Sequence, residues 1–285
     1  MAELKSLISD KSEQFQQNRQ DMLDTLANVR RLEQRVRDIG DKQRDRFKKL
    51  GKLMPRERVE RLIDPGTPFI AFSTLAGLGL HEDDGEDMVM GGGVITGIGI
   101  VNGTRVAIIA NDSAIRGGTS SWAGAMKMTR IMNIALEQKL PMITLNESGG
   151  GNLRLTHMTH AVLGGGRFAL QARLSAAGLP QLTIVHGNAT AGGAYVPGMS
   201  DYVIAVRNQS KMFLAGPPLL KMATGEIATD EELGGAEMHA AIAGTAEWIA
   251  ESDAHAIDIA RDVVKSWHWD NEAEQVDQAE TVTEP

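Results

Sequence analysis

Cysteine is absent from all 285 residues, which excludes disulfides, thiolate-bound zinc and a cysteine nucleophile. Aromatic residues make up only 4% of the chain, so large flat side chains contribute little to the core. No apolar run reaches the roughly 18 residues that a membrane-spanning helix needs, and no apolar N-terminal stretch follows a basic start. The expectation is a soluble, unexported protein of the cytoplasm. Several catalytic patterns are also missing. Neither GxxxxGK(S/T) nor a GxGxxG after a strand is present, so the common nucleotide loops are unsupported. Ser148 and Ser200 lack the GxSxG elbow of serine hydrolases. His157 and His160 stand without HExxH or a carboxylate pair, so no metal site is expected.

What the chain has instead is glycine, 31 residues of it, together with 14 methionines and 42% hydrophobic residues. That composition suits one substantial core built of closely approaching backbones. The net charge of −8 hides an asymmetry: residues 1–61 hold 16 Lys and Arg against 11 Asp and Glu, and the remainder is strongly acidic. Basic and acidic residues alternate at helical spacing in the first segment, with no aromatic interleaving. This favours a solvated or interface helix over nucleic-acid binding.

Residues 3–50 read as helical, with Leu32, Val36 and Ile39 forming a narrow apolar stripe suited to docking on another subunit. Pro55 and the run Asp64-Pro65-Gly66-Thr67-Pro68 punctuate the exit from this region. Strands 91–101 and 104–112 follow, joined at Asn102-Gly103, a two-residue hairpin signal. Helix and strand then alternate: helix 119–138, strand 141–147, helix 156–177, strand 182–188 and a helical start after Gly193. Strands 202–207 and 211–215 come next, then helical stretches 217–223 and 229–241, with Thr229 and Glu232 at capping-box spacing. Ile257, Ala260, Val264 and Trp267 mark one face of a last helix. Residues 270–285 carry six acidic and no basic residues and read as a disordered tail. The pattern is α/β with crossover connections. It divides into a helical arm at 1–62, one domain at 63–269 and the tail.

Two segments share one design, an apolar strand, a glycine cluster and a helical start. They are MITLNESGGGN, with Gly149, Gly150 and Gly151, and LTIVHGNATAGGAYV, with Ala191, Gly192 and Gly193. Bare amides at a helix start favour negative charge beyond the strand end. Two such loops side by side could form an oxyanion hole made of backbone; equally, the glycines could serve only tight turns and close packing. A third cluster, Arg116-Gly117-Gly118, could bind phosphate or thioester through its amides or be a plain loop. His186 reads as a structural residue at the end of a buried strand. Glu147 and Glu226 form no evident acid–base pair.

The ordered motifs GKLMPRERVERLIDPGTPF, GGGVITGIG, IANDSAIRGGT, LPMITLNESGG, TAGGAYVPGMSD, MFLAGPPLLKMATGE and ELGGAEMHA resemble the β-type carboxyltransferase subunits of biotin-dependent acyl-CoA carboxylases. The match runs over residues 20–268 and is closest to the methylcrotonyl-CoA and geranyl-CoA branch. The resemblance implies a crotonase-like superhelix of β-β-α turns and an acyl-CoA whose thioester carbonyl lies between the loop at 149–151 and Gly192-Gly193. In that scheme carboxybiotin on a partner's carrier protein releases carbon dioxide, takes the substrate proton on its ureido nitrogen and leaves an enolate to be carboxylated. Lys127 and Arg130 fall where CoA phosphates could be met; the alternative for both is a solvated helix face. Members of the family carry a second, biotin-side domain, so the implied partners are a second carboxyltransferase subunit, a biotin carboxyl carrier and a biotin carboxylase, with no metal, nucleic acid or membrane. After SGG this chain reads GNLRLTHMTHAVLGGGRF instead of the family's usual Ala followed by Arg or Tyr. The acyl group is therefore open, as are decarboxylation in place of carboxylation and a non-catalytic acyl-CoA-binding scaffold.

Overall fold

The structure is a computed structural model that describes residues 8–80, 90–119, 121–150 and 161–269. His157, His160, Gly151 and the acidic tail lie outside the described residues. Helix α1 (Glu13–Asp41) opens at Ser12, whose hydroxyl accepts the Phe15 N–H. The expected helix over 3–50 breaks at Lys42 and Gln43 and resumes as α2 (Arg44–Lys49). Helix α3 (Pro55–Leu62) was not expected, although Pro55 is at its first position and the Glu57 carboxylate accepts the Met54 N–H at 3.0 Å, both start signals.

Strands β1 (Ile70–Ala71), β2 (Val94–Val101) and β3 (Thr104–Asn111) are antiparallel neighbours. The hairpin at Asn102-Gly103 forms as expected, with φ of 45° and 75° at its two residues. Strand β2 starts three residues later than the sequence suggested, because Gly91, Gly92 and Gly93 take left-handed conformations. Helix α4 (Trp122–Glu137) leads to β4 (Met142–Ser148), helix α5 (Ala161–Ala176) to β5 (Gln181–Thr190), and helix α6 (Gly192–Gly198) to β6 (Tyr202–Val206). Strand β7 (Lys211–Phe213) pairs with the end of β5. Helices α7 (Pro217–Thr224) and α8 (Asp230–Gly234) and a π-helical turn (Met238–Ile242) precede β8 (Trp248–Ala250) and α9 (Asp253–Ser266). The sheet order is β1-β2-β3-β4-β5-β6-β8, parallel from β3 onward.

Alternation along the strands divides the core into two layers. Val106, Ile108, Ile143 and Leu145 face α3 and α9, whereas Ala107, Ile109 and Met142 face α4 and α5. Val59 and Leu62 of α3 lie in the first layer beside Ile257, Ala260 and Val264. An arm ending at residue 62 thus divides one packed core, because α3 is held by the same apolar contacts as the strands. The stripe Leu32, Val36 and Ile39, expected to serve another subunit, packs against Ile115 of the chain's own body. Upstream on α1, Met22, Leu23 and Leu26 remain exposed. Among the described residues no helix is long and apolar enough to cross a membrane.

Truncation separates the two parts of the helical region. Leu62→Ala, at a fully buried position, should cost about 2–5 kcal/mol in urea unfolding, and Met22→Ala less than about 0.5 kcal/mol. Equal costs would show that α3 is not part of the core.

Candidate active site

Strands β3, β4 and β5 run parallel, so the segments leaving their C-terminal ends emerge at one edge of the sheet. All three glycine clusters are there, and hydrogen bonds tie them together. The Gly149 N–H donates to the Gly117 carbonyl at 3.2 Å. The Ser148 hydroxyl donates to the Gly118 carbonyl at 3.2 Å and accepts the Gly150 N–H at 3.2 Å. Across the gap, the Asn146 amide donates to the Gly193 carbonyl at 3.0 Å. A Cβ on Gly193 would stand 3.4 Å from the Ser148 Cβ, between the two loops.

The amides of these loops are not equivalent. Gly192 and Gly193 open α6, so their N–H groups have no carbonyl four residues back within the helix. Ala191 turns the chain there at φ 52° and ψ −120°, a conformation that non-glycine residues hold only when their surroundings impose it. Its N–H is fixed to the Phe213 carbonyl of β7 at 3.2 Å. In the first loop the Gly149 and Gly150 amides already have partners inside the chain. The third cluster acts as their support: the Gly118 N–H closes its own turn onto Ile115 O at 3.0 Å, and the carbonyls of Gly117 and Gly118 face the first loop. The Gly118 amide, expected to meet phosphate or thioester, is thus bonded within its own turn. Arg116 is exposed on the same turn.

Lys127 and Arg130 part company. Lys127 is 6% exposed, and its ammonium donates to the carbonyls of Val94 at 2.7 Å and Gly91 at 3.2 Å. Burial, with Arg56 nearby, pushes its pKa down to about 8 against the pull of Asp112. Neither the solvated face nor a free phosphate ligand describes it, since it holds the glycine turn before β2. Arg130 is exposed, donates to the Ser73 hydroxyl at 3.0 Å and stands over the Phe72 ring. With Trp122 and Met126 it lines a cleft of about 560 Å3.

Below the loops lies a buried set of charges that sequence reasoning missed. Arg58 of α3 is 1% exposed; its Nε donates to Asp253 at 2.9 Å and its Nη1 to Glu147 at 2.6 Å. Lys52 donates to the other Glu147 oxygen at 2.7 Å, and the Ser113 hydroxyl adds a bond of 2.7 Å. His186 is fully buried with Nδ1 2.8 Å from Asp253 and Nε2 unpartnered among the described residues. Burial first, and then Arg58, lowers the pKa of this imidazole, so it is neutral and donates from Nδ1. Burial works against the charge of Asp253, but His186, Arg58 and the Leu53 N–H outweigh it and hold the carboxyl at about 2. For Glu147 likewise, Arg58 and Lys52 overcome burial and keep it ionised. Local sequence gave no signal for this set, since Arg58 and Asp253 are far apart in the chain; only the paired start signals of α3 were there to be read. Among the described residues no cluster of metal-ligating side chains exists.

The sheet, parallel from β3 onward with glycine loops at its strand ends, is shared with carboxyltransferases of crotonase-like fold. The beta subunit of geranyl-CoA carboxylase from P. aeruginosa superposes with a TM-score of 0.84 and 51% identity over 92% of this chain and 48% of that one. Residues 46–285 match the family model of the carboxyl transferase domain, and the chain belongs to that family. A probable biotin-dependent acyl-coenzyme A carboxylase beta2 subunit of Mycobacterium tuberculosis is 48% identical over 81% of this chain and 42% of its own length. A probable mitochondrial methylcrotonoyl-CoA carboxylase beta chain of Drosophila melanogaster is 41% identical over 92% of this chain and 46% of its own. The chain thus spans less than half the length of these relatives.

Two measurements probe the site's construction. A Cβ at Gly118, at φ 70°, would fall on the Glu147 carbonyl, whereas Gly117, at φ 63°, faces open space. Gly118→Ala should lose about 2–4 kcal/mol in chemical unfolding and Gly117→Ala about 1 kcal/mol. Asp253 should show itself in acid. A carboxyl held below its unfolded value of 3.8 contributes stability above that value and loses it as pH falls toward about 2, here about 2 kcal/mol. Asp253→Asn should be less stable at pH 7 and flatter between pH 4 and 2; an unchanged slope would show that the carboxylate is not paired as described.

Proposed function

We propose that this chain is the acyl-CoA-binding half of a biotin-dependent acyl-CoA carboxyltransferase. The observation that carries the reading is the convergence of the glycine loops at the C-terminal ends of β4 and β5, with the Gly192 and Gly193 amides unpaired within their helix. The thioester oxygen of an acyl-CoA lies between those amides and the loop at 149–151. There Gly150 exchanges its 3.2 Å bond to Ser148 for the more negative oxygen of the enolate, a stronger acceptor. Ala191 sets the direction of the helix start. The exposed cations assigned to the CoA phosphates are Arg116, beside the first loop, and Arg130, on α4. Carboxybiotin, carried by a partner, supplies the carboxyl group and the base. The chain's own groups fit that division of labour, since Glu147 is tied to two cations and His186 is sealed behind Asp253. Neither can serve as a base.

Turnover in this reading calls for a biotin-side carboxyltransferase domain, a biotin carboxyl carrier and a biotin carboxylase. The names of its relatives, beta chains of acyl-CoA carboxylases, one of them called biotin-dependent, support companion components of this kind. The test is reconstitution with these partners and transfer of labelled bicarbonate to propionyl-, methylcrotonyl- and geranyl-CoA. Gly193→Val, which fills the gap beside Ser148, should fold and lose about 100-fold or more in turnover. Normal turnover in that variant would sink the proposed oxyanion site.

A further inference from the structure

Strand β5 carries two more residues than β4 just before the loops. Asn146 is opposite Val185 and Ser148 is opposite Ala189, so Glu147 alone faces His186, Gly187 and Asn188. The β4 ladder cannot hold such a bulge, because its residues are out of step with that strand, and on the other edge of β5 the β7 ladder takes up only Asn188 of the three, opposite Lys211. The buried charges gather at this irregularity. Glu147 fills the space over Gly187, where a Cβ would come within 2.5 Å of its Oε1. His186, on the bulged strand, is tied to Asp253, and Arg58 joins the two carboxylates.

We infer that Glu147, Arg58, Asp253 and His186 form a positioning device that clamps this bulge. In doing so they set the spacing between Gly149 and Gly150 of the first loop and the amides of Gly192 and Gly193. Glu147 is bonded directly to Ser148, which organises the first loop; His186 lies on the strand that ends at Ala191. Slippage of β5 by even one residue would carry its glycines away from Ser148 and turn its side chains to the opposite face. His186 Nε2, without a partner among the described residues, is a cost the fold accepts at this place. The positioning role rests on the oxyanion reading of the loops; the clamp itself does not.

Two readouts separate them. Hydrogen exchange of the full chain is compared for wild type, Glu147→Gln and Val264→Ala, the last a core truncation on α9 that lowers stability without touching the bulge. Glu147→Gln should speed exchange about 10-fold or more in both 147–150 and 186–194, and Val264→Ala should leave those segments at the wild-type rate. In the reconstituted enzyme Glu147→Gln should lower kcat about 100-fold with KM for acyl-CoA within about threefold. If Glu147→Gln does not fold, Glu147→Asp, which keeps the charge but shortens its reach, is measured in its place with the same expectation. Unchanged exchange in either segment overturns the clamp. Faster exchange with normal kcat overturns the positioning role. A wild-type enzyme without turnover overturns the carboxyltransferase reading, and exchange still decides the clamp.

Discussion

The guanidinium of Arg58, enclosed between Glu147 and Asp253, is the contact on which the other elements depend. It joins α3, the end of β4 and the first residue of α9, segments with no sequence proximity. Through Asp253 it also reaches His186 on β5. Taking these charges out of water costs several kcal/mol per ion, and the attraction among them returns that only with good geometry. Two cations face two carboxylates, with the imidazole neutral, so the set balances. Breaking it by removing one member leaves a buried charge exposed to low dielectric, typically a loss of about 3–5 kcal/mol. An apolar cluster of the same volume would stabilise comparably, but it would not fix which residues of β5 lie opposite Glu147.

The chemistry expected of the site puts its demands on the backbone. An oxyanion is best met by N–H groups already aimed at it, since these need no reorganisation as charge develops. Backbone amides can be aimed only by fixing the chain around them, and the side chains near the loops do this. Ser148 bridges two glycine clusters, Asn146 reaches the Gly193 carbonyl, and Phe213 holds Ala191 through its carbonyl. Lys127 follows the same rule at the turn before β2, where its ammonium bonds carbonyls instead of a ligand. Glycine is needed where backbone meets backbone, as at Gly118. At Gly193 it leaves open the space between the loops.

The first part of the chain divides by burial. The C-terminal half of α1 and all of α3 are part of the body, the former on Ile115 and the latter in the main core. Met22, Leu23 and Leu26 remain on the surface in a strongly charged helix.

Much was legible in the sequence because it is written locally. The hairpin at Asn102-Gly103, the alternation of strands with helices, the capping pair Thr229 and Glu232, and the strand–glycine–helix unit of β5 and α6 depend on residues a few positions apart. The short strands β1 and β8 were not legible, because two or three residues carry no periodicity and pair only when a neighbour offers an edge. The partners of Glu147 and His186 were equally hidden. A carboxylate or imidazole in a strand reads the same whether it meets water, a metal or an arginine. By itself the sequence determined that glycine loops follow two buried strands and that no thiol could take part. Only the tertiary structure decided that those loops meet, that Lys127 turns inward, and that Arg58 reaches Glu147 and Asp253. Those outcomes depend on register and on packing between distant segments, and local propensity specifies neither.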